Sequence, residues 1–256
     1  MRVTVVGSSC AIPRPGRACS AYMIEDEGAA FVLDFGSGAY ASLRQHLDHD
    51  QIDAIVISHM HADHFLDLVT LRYAVRYGRH RSAPLPLWMP PGGIKALRSM
   101  VGIFAAEGRE DFFDDAFALA EYDPNASLPI GSGRLTFAKT THFIPAFAMR
   151  YESDAGTVTY SADTAPDQAV IALATHSDVF LCEATLADAQ TESGQRGHCT
   201  AAQAGEMAQA AQVRCLVLTH YADDVSAVAL ERAARSTFSG NIIVGDDHQV
   251  LTIPTR

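Results

Sequence analysis

The chain of 256 residues is 48% hydrophobic, carries a formal net charge of −11 and contains five cysteines. That length and apolar fraction suit one large α/β domain over residues 1–256, and no apolar run approaches the roughly 20 residues of a membrane span. The acidic balance excludes broad nonspecific affinity for nucleic acid, because such a surface repels phosphate at long range.

Residues 2–6, 21–25 and 30–34 read as strands. The first of them, in Met1-Arg2-Val3-Thr4-Val5-Val6-Gly7, lacks the apolar region and small-residue cleavage site of a signal peptide. Gly36-Ser37-Gly38 opens a helix to about residue 47. Residues 53–58 form the next strand, and a helix follows over about 66–78. On and after that helix, Arg72, Arg76, Arg79 and Arg81 form either a local phosphate-binding patch or a solvated face. Residues 85–89 are apolar and extended, and Pro90-Pro91-Gly92-Gly93 starts a helix to about 106. The acidic and aromatic segment 107–123 suits an edge helix, a lid or an oligomer contact, and is compatible with a homodimer. Strands read at 134–140, 146–152, 156–161, 178–182 and 214–219, with helices over about 167–175, 200–211 and 225–235. Two terminal strands fall near 241–244 and 248–253. Each half is thus a sheet with helices outside, and two halves packed sheet to sheet give an α/β four-layer αββα sandwich with ligands along one edge. Cys10, Cys19, Cys182, Cys199 and Cys215 show no C-x-x-C spacing and read as reduced thiols of a cytoplasmic protein.

The most informative run is His59-Met60-His61-Ala62-Asp63-His64. It follows the buried strand Asp53-Ala54-Ile55-Val56-Ile57-Ser58, so it projects into the cleft beyond a strand end, where α/β proteins place ligands. His59 and His61 lie on one side of an extended segment, and Asp63 and His64 follow at the next turn. A tetrahedral metal takes about four ligands, so this crowding suits two adjacent metals better than one.

Three later residues share the grammar of a metal-capable side chain closing an apolar run. They are His142 after residues 135–141, Asp163 after 157–162 and His220 after 215–219. Two metals sharing one carboxylate would use His59, His61, Asp63, His64, His142, Asp163 and His220, with Asp163 as the bridge because a carboxylate has two oxygens. Asp34, at another strand end, fits an acceptor for the N–H of a ligand histidine. Zinc is the expected metal, and the donor set also accepts Mn or Fe.

H-x-H-x-D-H after a strand, a later His, Ser161-Ala162-Asp163-Thr164 and Leu218-Thr219-His220 together resemble the metallo-β-lactamase superfamily over essentially the whole length. The resemblance implies the metallo-β-lactamase fold and a metal-dependent hydrolase. It leaves open whether a phosphodiester, thioester, lactone or sulfate ester is cut. Cys182-Glu183-Ala184-Thr185 resembles the H-E-A-T motif of ribonuclease Z, and Gly197-His198-Cys199-Thr200-Ala201 resembles that family's G-H-S-T-A. By that match His198 contacts the scissile phosphate as an acid or charge stabiliser, and Glu183 orients it.

The chain departs from ribonuclease Z at Cys182. It departs also in Pro13-Arg14-Pro15-Gly16-Arg17-Ala18, where Arg17 of the P-x-K-x-R-N pattern matches but the Lys and Asn positions do not. Only residues 143–162 separate His142 from Asp163, which leaves no room for a tRNA-gripping arm. With two lysines in the chain, Lys95 and Lys139, this argues against gripping a folded tRNA. The layout is similar to compact, arm-less ribonuclease-Z-like hydrolases, some of which are cyclic nucleotide phosphodiesterases. The resemblance thus implies a dinuclear phosphodiesterase acting on a small ester such as a cyclic nucleotide. His59, His61 and His142 would hold one metal, and Asp63, His64 and His220 the other. A hydroxide between the metals would attack phosphorus, with Asp63 also able to take the water's proton. A ribonuclease Z-like tRNA 3′-processing endonuclease is the alternative, as is a hydrolase of thioesters, lactones or sulfate esters. Arg17, Arg72, Arg76, Phe104 and Phe143 are candidates for reading a base or sugar.

Overall fold

The alternating and fully apolar runs of the sequence become two mixed sheets, each of seven strands. The computed structural model describes residues 1–78, 81–104, 109, 111–187 and 194–254, with Phe104 described for its backbone alone. The first sheet contains β1 (Arg2–Gly7), β2 (Ala21–Asp26), β3 (Ala29–Leu33), β4 (Ala54–Val56), β5 (Leu85–Met89) and β6 (Phe117–Glu121). The second contains β7 (Leu128–Ile130), β8 (Gly133–Lys139), β9 (Phe147–Ser153), β10 (Gly156–Tyr160), β11 (Val179–Glu183), β12 (Cys215–Thr219) and β13 (Asn241–Val244). Helices α1 (Ala39–Leu43), α2 (Ala62–Phe65), α3 (Leu68–Tyr77), α4 (Gly93–Ser99) and α5 (Val101–Phe104) belong to the first half. Helices α6 (Gln168–Ala174), α7 (Ala201–Ala211) and α8 (Ala227–Arg235) belong to the second. No helix among the described residues is long and apolar enough to cross a membrane.

Strand alternation builds three apolar layers. Val3, Val5, Tyr22, Ile24, Phe31 and Leu33 face Tyr151, Val158, Tyr160, Leu181 and Val217 between the sheets. The opposite face of the first sheet, with Met23, Val32 and Ile55, packs on Leu43, Leu71 and Leu97 of its helices. Phe180, Leu216 and Leu218 pack likewise on Val170, Met207 and Leu230. The four-layer αββα order is therefore the observed one. Local signals set the ends of its elements. β2 and β3 pair Asp26 with Ala29 across Glu27 and Gly28, both at positive φ, as a two-residue hairpin turn requires. α7 starts at Thr200, whose side chain accepts from the Gln203 N–H while Gln203 returns a bond.

Two expectations need correction. The halves are not self-contained sheets, because β14 (Val250–Thr252) leaves the second half and pairs antiparallel with β1, Arg2 opposite Thr252. Segment 107–123, as far as it is described, is neither a helix nor a lid. Residues 111–116 are turns, and β6 extends the first sheet parallel to β5. Phe112, Phe113 and Phe117 are buried in the core under the helices, which accounts for the aromatic content of this edge. Residues 107, 108 and 110 lie outside the described residues.

The parallel strands decide where chemistry sits. β3 and β4 are parallel in one sheet, and β10, β11 and β12 in the other. Their carboxyl ends carry Asp34, His59, Asp163, Glu183 and His220 to one edge of the sandwich.

Candidate dinuclear metal centre

Four donor groups converge first around His59, His61, His142 and Asp163. His61 Nδ1 lies 3.2 Å from His59 Nε2 and 2.9 Å from His142 Nε2. Asp163 Oδ2 lies 3.6 Å from His59 Nε2 and 3.7 Å from His142 Nε2. The second group is Asp63, His64, His220 and again Asp163. His220 Nε2 is 3.1 Å from Asp63 Oδ2, and His64 Nε2 is 3.4 Å from the same oxygen. Asp163 Oδ1 is 3.3 Å from His64 Nε2 and 3.5 Å from His220 Nε2. All seven ligand residues expected from sequence thus come together, and Asp163 turns one oxygen to each group.

The donor set fits two divalent cations. A tetrahedral shell with bonds of about 2.0–2.1 Å has edges of about 3.3–3.4 Å, close to these spacings. His64 Nε2 and Asp163 Oδ1 are also buried without a hydrogen-bond partner, a costly arrangement that a shared cation relieves.

Neighbouring groups fix which nitrogen each ring presents. Asp34 Oδ2 accepts from His64 Nδ1 at 2.7 Å, from Ser58 Oγ at 2.7 Å and from the Tyr160 hydroxyl at 2.8 Å. With its proton on Asp34, Ser58 Oγ accepts from His59 Nδ1 at 2.9 Å. His142 Nδ1 donates to the Gly197 carbonyl at 2.8 Å. Thr185 Oγ1 lies 2.8 Å from His220 Nδ1 and 2.7 Å from Glu183 Oε2, so it accepts from the ring and donates to the carboxylate. Asp34 takes the place anticipated for it. Ser58, Tyr160 and the relay through Thr185 were not anticipated. Thr185 closes the Cys182-Glu183-Ala184-Thr185 motif, whose sequence gives it no role, and Tyr160 reads as one more aromatic of a core strand.

Main-chain geometry tightens the site. Asp34, Ala162 and His220 sit at φ of 59°, 50° and 52°, left-handed values at three strand ends that turn the chain sharply into the cleft. Gly36 lets the Asp63 carbonyl approach, since a Cβ there would overlap it at 1.9 Å.

Charge divides the histidines. Burial lowers the proton affinity of His59, His61 and His142, which keeps these rings neutral and able to ligate. Burial opposes ionisation of Asp63, but His220 and His64 outweigh it and hold the carboxyl well below its usual range. Asp163 is likewise held low against burial by His220 and His64. Burial acts against a charge on His64 too, and Asp163 and Asp34 overcome it, raising its proton affinity.

Glu183 and His198 border this centre. Glu183 is fully buried at the end of β11, and its Oε1 lies 2.9 Å from His198 Nδ1. The Thr164 N–H donates to Oε1 at 2.8 Å, and the Cys199 N–H to Oε2 at 3.2 Å. The His198 ring packs 5.0 Å from that of His142 and 5.9 Å from that of His220. Together with Cys10, Ala11, Ile12, His61, Ala62, Asp63, Asp163, Thr185 and His220, it lines a cleft of about 380 Å³. His198 precedes the α7 cap, so its position at a helix entrance and its position beside the two donor groups are the same place.

Three proposed base or sugar contacts are engaged elsewhere. Arg17 is paired with Asp246. Arg72 is buried, 2.6 Å from Asp115, with its guanidinium over Phe112. Arg76 lies 3.4 Å from Asp115. Arg81 donates to the His49 carbonyl at 2.8 Å. Arg79 and the Phe104 side chain lie outside the described residues. The five cysteines are free thiols.

Comparison with known proteins bears on the family and the fold. Residues 31–221 match a family model described as the β-lactamase superfamily domain. The chain is 26% identical to the probable metallo-hydrolase YhfI of Bacillus subtilis, over 94% of this chain and 96% of that protein. It is 27% identical to a ribonuclease Z of Haloferax volcanii, covering 99% of this chain and 95% of that one. The crystal structure of YhfI superposes with a TM-score of 0.87 at 24% identity, covering 98% of each chain. A diphosphatase of the PhnP family superposes at 0.74 and 16% identity, covering 100% of this chain and 99% of that one. These structural likenesses show a shared fold.

Proposed function

The chain belongs to the metallo-β-lactamase superfamily of metallo-hydrolases, and from that premise we propose that it is a cytoplasmic, dinuclear phosphodiesterase acting on a small phosphodiester such as a cyclic nucleotide. The observation that carries this reading is the Glu183–His198 pair standing beside the two donor groups. Hydrolysis of a phosphodiester breaks one P–O bond and expels an alkoxide or phenoxide, so the departing oxygen needs a proton or a positive charge. Glu183 holds Nδ1 of His198 and thereby directs the other ring nitrogen for that task.

His59, His61 and His142 would hold one cation, and Asp63, His64 and His220 the other, with Asp163 serving both. Two divalent ions bound there would acidify water and neutralise charge on the phosphoryl oxygens. Asp63 borders the cleft, where it would serve as a ligand and stands in place to take a proton from water. The span from His142 to Asp163 supports a small substrate. Strands β9 and β10 and their two-residue turn at Asp154 and Ala155 occupy most of it, with Ser153 opposite Gly156.

The test is a hydrolysis panel on the metal-loaded protein with cyclic mononucleotides, bis-(p-nitrophenyl) phosphate, a precursor tRNA and a thioester. Turnover of the small phosphodiesters is expected. Cleavage of the precursor tRNA alone, or of the thioester alone, would overturn the proposal.

A further inference from the structure

Two large apolar side chains stand exposed beside the metal-facing cleft. Ile12, 76% exposed, lines it from the loop between β1 and β2. Phe143, 48% exposed, follows His142 and packs its ring 5.1 Å from His142 and 5.8 Å from His198. Both are held in place. The Ser8 N–H and hydroxyl donate to Asp247 Oδ1 at 2.9 and 2.7 Å, and the Ala18 N–H donates to Oδ2 at 2.7 Å, which anchors both ends of the Ile12 loop. The Phe143 ring rests against Gly197, where a Cβ would come within 2.5 Å of it.

Charge in the same place is sparse. Among the described residues lining the cleft there is no lysine or arginine. The two arginines of the Ile12 loop are directed at other groups. Arg17 pairs with Asp246, while Arg14 donates to Ser8 Oγ at 2.6 Å and lies over the Tyr221 ring at 4.2 Å. Among the described lining residues, the groups that can compensate a substrate's charge are therefore those of the candidate metal centre and His198. Around them a substrate meets apolar surface that gains by being covered, while a second phosphate would be desolvated without a partner.

We propose that Ile12 and Phe143 form the subsite for the organic part of the diester. The enzyme then selects a substrate with a single phosphoryl group and a flat, uncharged substituent such as a nucleobase, and disfavours one with a second phosphate. This rests on the phosphodiesterase reading above.

The experiment compares kcat/KM of the metal-loaded protein on 3′,5′-cyclic AMP, on the same cyclic ribose phosphate lacking its base, and on diadenosine diphosphate. A thioester is run in parallel. The proposal expects cyclic AMP to exceed the base-free ester by about tenfold or more, as one buried apolar contact supports, and to exceed diadenosine diphosphate. Ile12→Ala and Phe143→Leu should each lower the preference for the base about three- to tenfold, chiefly through KM. Ile103→Ala, at an exposed site on α5, should leave the preference as it is. Equal turnover of the ester with and without its base would overturn the subsite and leave the phosphodiesterase standing. So would a preference untouched by both variants, or diadenosine diphosphate cleaved as well as cyclic AMP. Hydrolysis of the thioester and of none of the three phosphoesters would overturn both.

Discussion

Asp34 Oδ2 accepts the Nδ1 proton of His64 at 2.7 Å, and both side chains are fully buried. The carboxylate thus settles the tautomer of a ring whose other nitrogen faces Asp63 and Asp163. It also ties the end of β3 to α2, so this candidate ligand is aimed by a neighbouring strand and not by its own short helix. Asp34→Asn keeps the size and removes the charge. It should weaken metal binding at the group of Asp63, His64 and His220 by about 10- to 100-fold, measured by competition against a chromophoric chelator. An unchanged second binding step would remove Asp34 from this role.

Thr185 does similar work for His220, passing its hydrogen bond on to Glu183. Thr185→Val preserves shape and leaves His220 Nδ1–H without its acceptor, while Glu183 loses a donor. The expected loss is about 1–3 kcal/mol in stability and on the order of tenfold in affinity for the second metal. Thr185→Ser should restore both. Denaturant unfolding and metal titration of the three proteins check it, and a valine variant equal to wild type would show the relay to be idle.

These two residues also mark how far the sequence could be read. The candidate ligands were legible because they follow apolar runs; parallel strands bring the ends of β4, β10 and β12 together, while His142 follows β8, which pairs antiparallel with β9. Asp34 was legible by the same token. Thr185 was not, because a hydroxyl relay has no periodicity and depends on two strands meeting. The destination of β14 was hidden for a related reason, since a strand's own residues do not name its partner. β7 is three residues long and contains Pro129, which gives too short a pattern to register. The arginines near α3 carried a basic pattern, but Asp115, distant in sequence, takes up Arg72 and Arg76.

His198 is in neither of the two groups that share Asp163, although it stands with Glu183 and His220 in a third set of donors, so its loss should separate catalysis from metal content at those two. His198→Ala is expected to retain both metals and to lose about 10²- to 10⁴-fold in kcat on bis-(p-nitrophenyl) phosphate. Glu183→Gln should lose rate as well, and should also weaken the second metal because Thr185 depends on that carboxylate. Elemental analysis alongside kinetics distinguishes the two variants. Full activity in the alanine variant would exclude His198 from the leaving-group step.

Metal removal should be felt by the whole fold, because the ligands come from both sheets. His59, Asp63 and His64 follow β4 in one, and His142, Asp163 and His220 follow β8, β10 and β12 in the other. Cations bound between them cross-link the edge of the sandwich in the folded state alone. Binding at a thousandfold excess over Kd stabilises by about 4 kcal/mol per site. For a chain of this size each kcal/mol shifts the melting temperature by about 2–4 °C. Chelation should therefore lower Tm by on the order of 10 °C or more, and readdition of zinc should reverse it in two steps for the wild type. Asp163→Asn, which weakens the shared ligand, should blunt both steps. A Tm indifferent to chelation would show that the seven side chains hold no structural metal.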